Sequence, residues 1–213
     1  MARDQALFKA LFFAGDRAAD LLQLKTGDIL RFPDNSGFLL NHIWTKTLRS
    51  GDKHVFAFKR GSNKRVCPVG GLELYVRICG LLGIELGSGY LFRPLSKTGT
   101  VSSQYMTSQA AQTRLNVYSV SLRQQLTDEH FTLHGFRSGA AVSMALAGVD
   151  LHAIMDHVGW RSETALHYIK LKQVINPAGA AARLAGLPSD DGKDYKCFDA
   201  LRGFFSGFLN FLP

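Results

Sequence analysis

Residues 130–148 read HFTLHGFRSGAAVSMALAG. His134 stands three residues before Arg137, and both precede a run of small and apolar residues that reads as a buried helix. Such a helix belongs to a core, yet it opens on two polar side chains, one of them permanently cationic. At i and i+3 near a helix start, the two can reach the same point in space. Guanidinium matches two phosphate oxygens at once, imidazole adds a donor, and the helix N-terminus adds its positive pole. The residues alone admit two readings. One is a phosphate site; the other is a capping histidine beside a surface arginine paired to a carboxylate.

Working outward, TSQAAQTRLNVYSVSLRQQL (107–126) predicts a helix before this stretch, and Gly148 ends the helix inside it. After it, DLHAIMDHVGW (150–160) predicts a short helix with Asp150 as N-cap, and SETALHYIKL (162–171) another capped by Ser162. Towards the N-terminus, DQALFKALFFAGDRAADLLQ (4–23) has apolar positions at helical spacing. Gly15 divides that run into two helices, with Asp16 as N-cap of the second. TGDILRF (26–32) and GFLLNHIWTKTL (37–48) read as strands separated by the turn signal PDNSG. HVFAFKRG (54–61) and KRVCPVG (64–70) continue that pattern, so a small antiparallel sheet is expected over roughly 28–69. GGLELYVRICGLLGI (70–84) returns to a helical period, and residues 86–107 read as loop.

Helices, a small sheet, then helices define the expected class: α+β, mostly helical, with the antiparallel sheet along one edge. The expected organisation is one domain over 1–187, a polar linker over 188–196, and an apolar tail over 197–213, CFDALRGFFSGFLNFLP. The tail is too short for a core of its own and apolar enough to want a partner, in its own domain or in a neighbouring copy.

Composition narrows the function classes. The chain has 213 residues, 46% hydrophobic and 20% charged, which is a globular composition. A net charge of +8 and a pI near 9.6 favour polyanionic partners, nucleic acid first. Three cysteines, an odd number without CxxC spacing, fit free thiols in a reducing, intracellular setting. No stretch reaches the roughly 18 apolar residues of a membrane span, and none reads as a signal peptide. His130 and His134 are i,i+4, with His152, His157 and His167 later, but no HExxH occurs and no metal is expected.

Four further residues carry candidate chemistry. Arg17 follows the Gly15 break in an otherwise apolar helix, with Asp20 three residues on to orient it or simply to pair with it. Lys46 lies at the end of a predicted strand beside a flexible loop, where a lysine can reach a ligand and give up a proton; Lys53, Lys59 and Lys64 compete nearby. Trp160 offers an indole N–H and a flat face. Tyr168 stands eight residues later on the next helix, where a tyrosine is ordinarily a core or boundary residue.

The ordered set is more specific than its members. GDRAADLLQL, WTKT, LHGFRSGAA and HVGW…HYI, spread over roughly residues 5–185, resemble the catalytic domain of the tyrosine recombinases, the phage integrase family. Gly-Trp in place of the commoner Gly-His resembles the Cre-type branch, and CPV with the compact GWRSETALHYI resembles eukaryotic Crypton- and DIRS-like mobile elements. The resemblance implies that Tyr168 is the nucleophile, forming a 3′-phosphotyrosyl bond with DNA. Arg17 and Arg137 would clamp the non-bridging oxygens, with Trp160 supporting the same phosphate through its N–H. Lys46 would protonate the departing 5′ oxygen, and His134 would assist proton transfer. Asp20 would support Arg17, standing where many members carry Glu. His157 lies near the His/Trp position, which Trp160 fills better because it follows Gly159. Tyr195, the other late tyrosine, sits in the polar linker and does not suit a buried helix.

The implied reaction is metal-independent strand exchange without cofactor. The implied partners are double-stranded DNA and further copies of the chain in a tetrameric synapse, with no membrane. The expected location is intracellular: the nucleus in a eukaryotic host, otherwise the cytoplasm or nucleoid. Family members carry a helical DNA-clamping domain ahead of the catalytic one, and its absence here is expected to make binding weaker and more salt-sensitive. The alternatives are a type IB topoisomerase-like nicking-closing enzyme and a catalytically silent DNA-binding module.

Overall fold

The computed structural model describes residues 1–42, 54–96, 98–123 and 131–160. Its elements run α1 (Ala2–Ala14), α2 (Ala18–Leu21), β1 (Ile29–Arg31), β2 (Gly37–His42), β3 (His54–Lys59), α3 (Pro68–Leu81), α4 (Ser108–Arg123), α5 (Leu133–Leu146) and α6 (Leu151–Val158). The class is the expected one: mostly helical, with one three-stranded antiparallel sheet in the order β1-β2-β3.

Helix α1 is the axis of the core. Residues 4–11 are all buried, so the helix shows no solvent face along this length. It packs on α3 to one side and α5 to the other. Phe8 stacks on Phe136 of α5 with centroids 5.5 Å apart, and meets Tyr118 of α4 edge-on at 6.1 Å. Being surrounded, α1 also buries Asp4, whose carboxylate is met by Arg3 at 2.7 Å, Arg114 Nε at 2.8 Å and the Tyr118 hydroxyl at 3.0 Å. These bonds tie the first turn of α1 to α4 and meet the requirement that a buried charge be paired.

The sheet lies against α1 and α3 through β3. Its register sets Leu40 opposite Ile29 and Phe56, and Phe38 opposite Arg31 and Phe58. Phe56 and Phe58 are buried while Val55 and Ala57 are exposed, the period-two alternation of a sheet with one wet face. Gly37 is required in β2, because a Cβ there would fall on the Phe58 carbonyl oxygen. Glu73 of α3 braces the sheet, accepting from Arg60 Nη2 at 2.7 Å and Nη1 at 2.9 Å and pairing with Arg31 at 3.2 Å.

Three expectations change. KRVCPVG is not a strand: β3 ends at Lys59, and Pro68 opens α3 with Cys67 as N-cap, its Sγ accepting the Gly70 N–H at 3.4 Å. Proline suits this first helical position because its fixed φ is helical and its missing N–H would have had no partner. The sheet is thus shorter than 28–69, with a 3-10 turn at Thr26–Asp28 before β1. Asp16 does not cap the second helix either. Arg17 holds the N-cap position, and Asp16 Oδ1 accepts the Arg17 N–H from one residue back. The Gly15 break itself is as expected, with φ +60° ending α1. So is the Asp150 cap, whose Oδ1 accepts the His152 N–H at 2.8 Å and the Ala153 N–H at 3.4 Å. The boundaries at 187, 188–196 and 197–213 lie outside the described residues.

Candidate active site

An open cleft of about 470 Å³ lies where the starts of α2, α4 and α5 converge. Asp16, Arg17 and Ala18 line it from the first; Ser108, Gln109 and Gln112 from the second; Thr132, Leu133, His134 and Arg137 from the third. Arg17 and Arg137, far apart in the sequence, thus share one cleft with His134. The N-termini of the 16-residue α4 and the 14-residue α5 both reach it. Their dipoles present a positive pole and favour an anion at such a point.

Arg137 is built in from below. Its side chain is 4% exposed, its Nη1 donates to the Gly15 carbonyl at 2.8 Å, and Asp16 Oδ1 lies 3.8 Å away. Its guanidinium carbon sits 5.3 Å from the Trp160 ring centre, within cation–π range. A guanidinium carries five N–H donors, so a bond to the scaffold and a clamp on a ligand are compatible roles. The reading of Arg137 as a surface arginine is therefore excluded by its burial.

Gly15 makes that anchorage possible. It takes a left-handed conformation, and a Cβ there would lie 3.0 Å from Val158 Cγ2 and 3.4 Å from the Ala140 Cβ. Only glycine lets the end of α1 meet α5 and α6 so closely.

Arg17 is more open, with its side chain 36% exposed at the cleft and Nη1 3.5 Å from Oδ2 of the buried Asp20. Both halves of the sequence reading hold: the local ion pair exists, and the arginine borders a cleft. His134 is the second residue of α5 and is exposed. It is not the cap. Thr132 is, its Oγ1 accepting the Gly135 N–H at 3.2 Å. His157, in the last turn of α6, meets the Phe13 carbonyl at 2.8 Å through Nε2. Trp160 follows α6 and packs on the small cluster of Ala141, Ala145, Ile154 and Val158 between α5 and α6. Lys46 and Tyr168 lie outside the described residues.

The α4 wall was not anticipated. Gln112 holds the approach to α5 by three bonds: its Oε1 accepts the Leu133 N–H at 3.0 Å, and its Nε2 donates to the Phe131 carbonyl and to Asn116 Oδ1, each at 2.9 Å. The available signal was a polar stripe, Ser108, Gln109 and Gln112, beside the buried Ala111 and Leu115. Such a stripe ordinarily reads as a solvated helix face. Among the described residues no group of three or more His, Cys, Asp or Glu side chains could hold a metal ion, and no helix is long and apolar enough to cross a membrane.

The architecture is that of tyrosine recombinase catalytic domains. A solved XerH site-specific recombinase bound to palindromic difH substrate, a post-cleavage complex, superposes with a TM-score of 0.58 at 18% identity. That match covers 85% of this chain and 45% of the other. The XerH pre-cleavage complex with difH substrate gives 0.56 at 17% identity, covering 81% and 44%. The chain thus spans less than half the length of these structural neighbours. No curated protein matches it in sequence. The phage integrase family profile matches residues 1–173, and the chain belongs to that family.

Proposed function

We propose that this chain carries the catalytic domain of a site-specific DNA recombinase that cuts and rejoins DNA through a 3′-phosphotyrosyl intermediate. The observation that carries the reading is the meeting of Arg17, Arg137 and His134 in one cleft at the starts of α4 and α5, in a chain of net charge +8. This is where a backbone phosphate of double-stranded DNA is held. The two arginines bind its non-bridging oxygens and stabilise the charge that grows on them in the pentavalent transition state. Trp160 backs Arg137 and supports the same phosphate.

In the proposed step, the Tyr168 oxygen attacks phosphorus and the bond to the 5′ oxygen breaks. Lys46 delivers the proton that the leaving oxygen takes up, and His134 assists proton transfer at the phosphate. Asp20 keeps Arg17 in place. The phosphotyrosyl bond conserves the phosphodiester energy, so a 5′ hydroxyl from a second duplex reverses the attack and joins the strands. Charge stabilisation comes from the protein's own donors, and no step runs through a metal or a nucleotide cofactor. Exchange between duplexes requires several copies, hence a homo-oligomeric synapse, and DNA as substrate implies a location inside the cell.

Incubation with supercoiled plasmid followed by an SDS quench tests the reading. DNA held covalently to protein, absent with Tyr168→Phe, is the expected result. Plasmid bound without any adduct would leave a silent DNA-binding module. Relaxed circles without joined molecules would assign the nicking-closing alternative.

A further inference from the structure

The last carbonyl groups of a helix have no partner inside it and form its negative pole. At the carboxyl end of α1, two carbonyls are taken by side chains from distant elements. The Gly15 carbonyl accepts Arg137 Nη1 at 2.8 Å, and the Phe13 carbonyl meets His157 Nε2 at 2.8 Å. A carbonyl cannot donate, so the N–H is on Nε2 of the imidazole. Arg17 comes two residues after Gly15 in the chain. One turn of backbone therefore sets Arg17 by connectivity, Arg137 by a hydrogen bond, and the end of α6 by another.

The position of α6 in the chain gives the second bond its importance. Helix α6 stops at Val158, Trp160 rests 5.3 Å from the Arg137 guanidinium carbon, and Tyr168 comes eight residues later. The contact of α6 with α5 is made by small and aliphatic side chains, Ala141 and Ala145 against Ile154 and Val158. Apolar contacts of this kind resist separation but fix rotation weakly. A directional bond across to α1 fixes it.

We propose that His157 is a positioning residue, a latch that locks the α6 end to the carboxyl end of α1 and thereby sets Trp160 against the Arg137 guanidinium of the clamp. It acts by donating one hydrogen bond and takes no proton in the reaction. The catalytic half of this inference rests on the phosphotyrosyl reading; the structural half does not.

Two variants separate the donor from the ring. His157→Gln keeps an N–H at similar reach, and His157→Phe keeps the ring without a donor. Without DNA, backbone hydrogen exchange over residues 151–160 should rise about 5–10-fold in His157→Phe, the loss of roughly one hydrogen bond's worth of local stability. It should stay near wild type in His157→Gln. With supercoiled plasmid, the rate of SDS-stable adduct formation should fall about 10–100-fold in His157→Phe, as expected for a phosphate clamp held slightly out of line. Duplex affinity should hold, and His157→Gln should retain most of the adduct rate. Unchanged exchange in His157→Phe overturns the latch, as does an adduct rate equal to wild type. A His157→Gln variant as slow as His157→Phe overturns it too, because the imidazole would then act as a proton carrier. A wild-type protein that forms no adduct defeats the phosphotyrosyl reading, and the exchange measurement still decides the latch.

Discussion

At the scale of single residues, the proposed phosphate clamp asks for guanidinium chemistry more than for charge. Arg137 is 4% exposed and is bonded to the scaffold through one Nη. Its fork can grip a phosphate on two oxygens while staying anchored. A lysine keeps the charge but offers a single point donor on a flexible stem. Arg137→Lys should therefore slow adduct formation about 100-fold, the cost of one lost transition-state donor, while duplex binding persists. Single-turnover adduct kinetics on plasmid read this directly, and equal rates would show that charge alone suffices. The candidacy of Arg137 was legible in the sequence, as one of two readings of His-x-x-Arg at an apolar helix mouth, and its burial removes the surface-arginine reading. Its anchor was not legible. The Gly15 carbonyl lies 122 residues away, and no local pattern announces which backbone oxygen a side chain will find. The same holds for the α4 wall, where Gln112 looks from sequence like any solvated glutamine.

At the scale of elements, the junction of α1, α5 and α6 has no spare room. Gly15 is held at φ +60° with Val158 and Ala140 in contact range of an added Cβ. Gly15→Ala meets a conformational cost and an overpacking cost together, about 2–4 kcal/mol in total. Urea denaturation should show that loss; stability equal to wild type would mean that the junction yields easily. The elements themselves were readable where a strong local signal existed: the Gly15 break, the Asp150 cap, the period-two alternation in β3. They were misread where one signal outweighed another. KRVCPVG carries β-favouring residues, but Pro68 behind a capping Cys67 starts a helix. Asp16 looked like a cap, yet its carboxylate turns to the Arg17 N–H and lies near Arg137 instead. In both cases the ambiguity was between two local uses of the same residue, and packing decided it.

At the scale of the whole molecule, α1 joins the stability of the fold to the geometry of the site. One end is tied to α4 through Asp4, the other holds Arg137 and His157. Burial alone raises the Asp4 pKa, but Arg3 and Arg114 outweigh it and hold the carboxyl below its ordinary value of 3.8. A depressed folded pKa gives stability that is complete above the unfolded value and is lost as pH falls through the folded one. Asp4→Asn should cost about 2 kcal/mol at pH 7, since it removes the carboxylate that Arg3 and the partly exposed Arg114 meet. The gap between variant and wild type should narrow in acid below about pH 4. Denaturation curves at neutral and acid pH check both points, and a gap independent of pH would assign the Asp4 network to packing alone.

The function proposed for the molecule turns on one bond, between Tyr168 and DNA. The most direct measurement is to trap protein on supercoiled plasmid, digest the DNA with nuclease and the protein with trypsin, and weigh the peptide that contains Tyr168. A nucleotide joined through its 3′ phosphate to Tyr168, lost in Tyr168→Phe, is the predicted result. A nucleotide on Tyr195 or any other side chain, or plasmid-bound protein with no nucleotide attached, would contradict it.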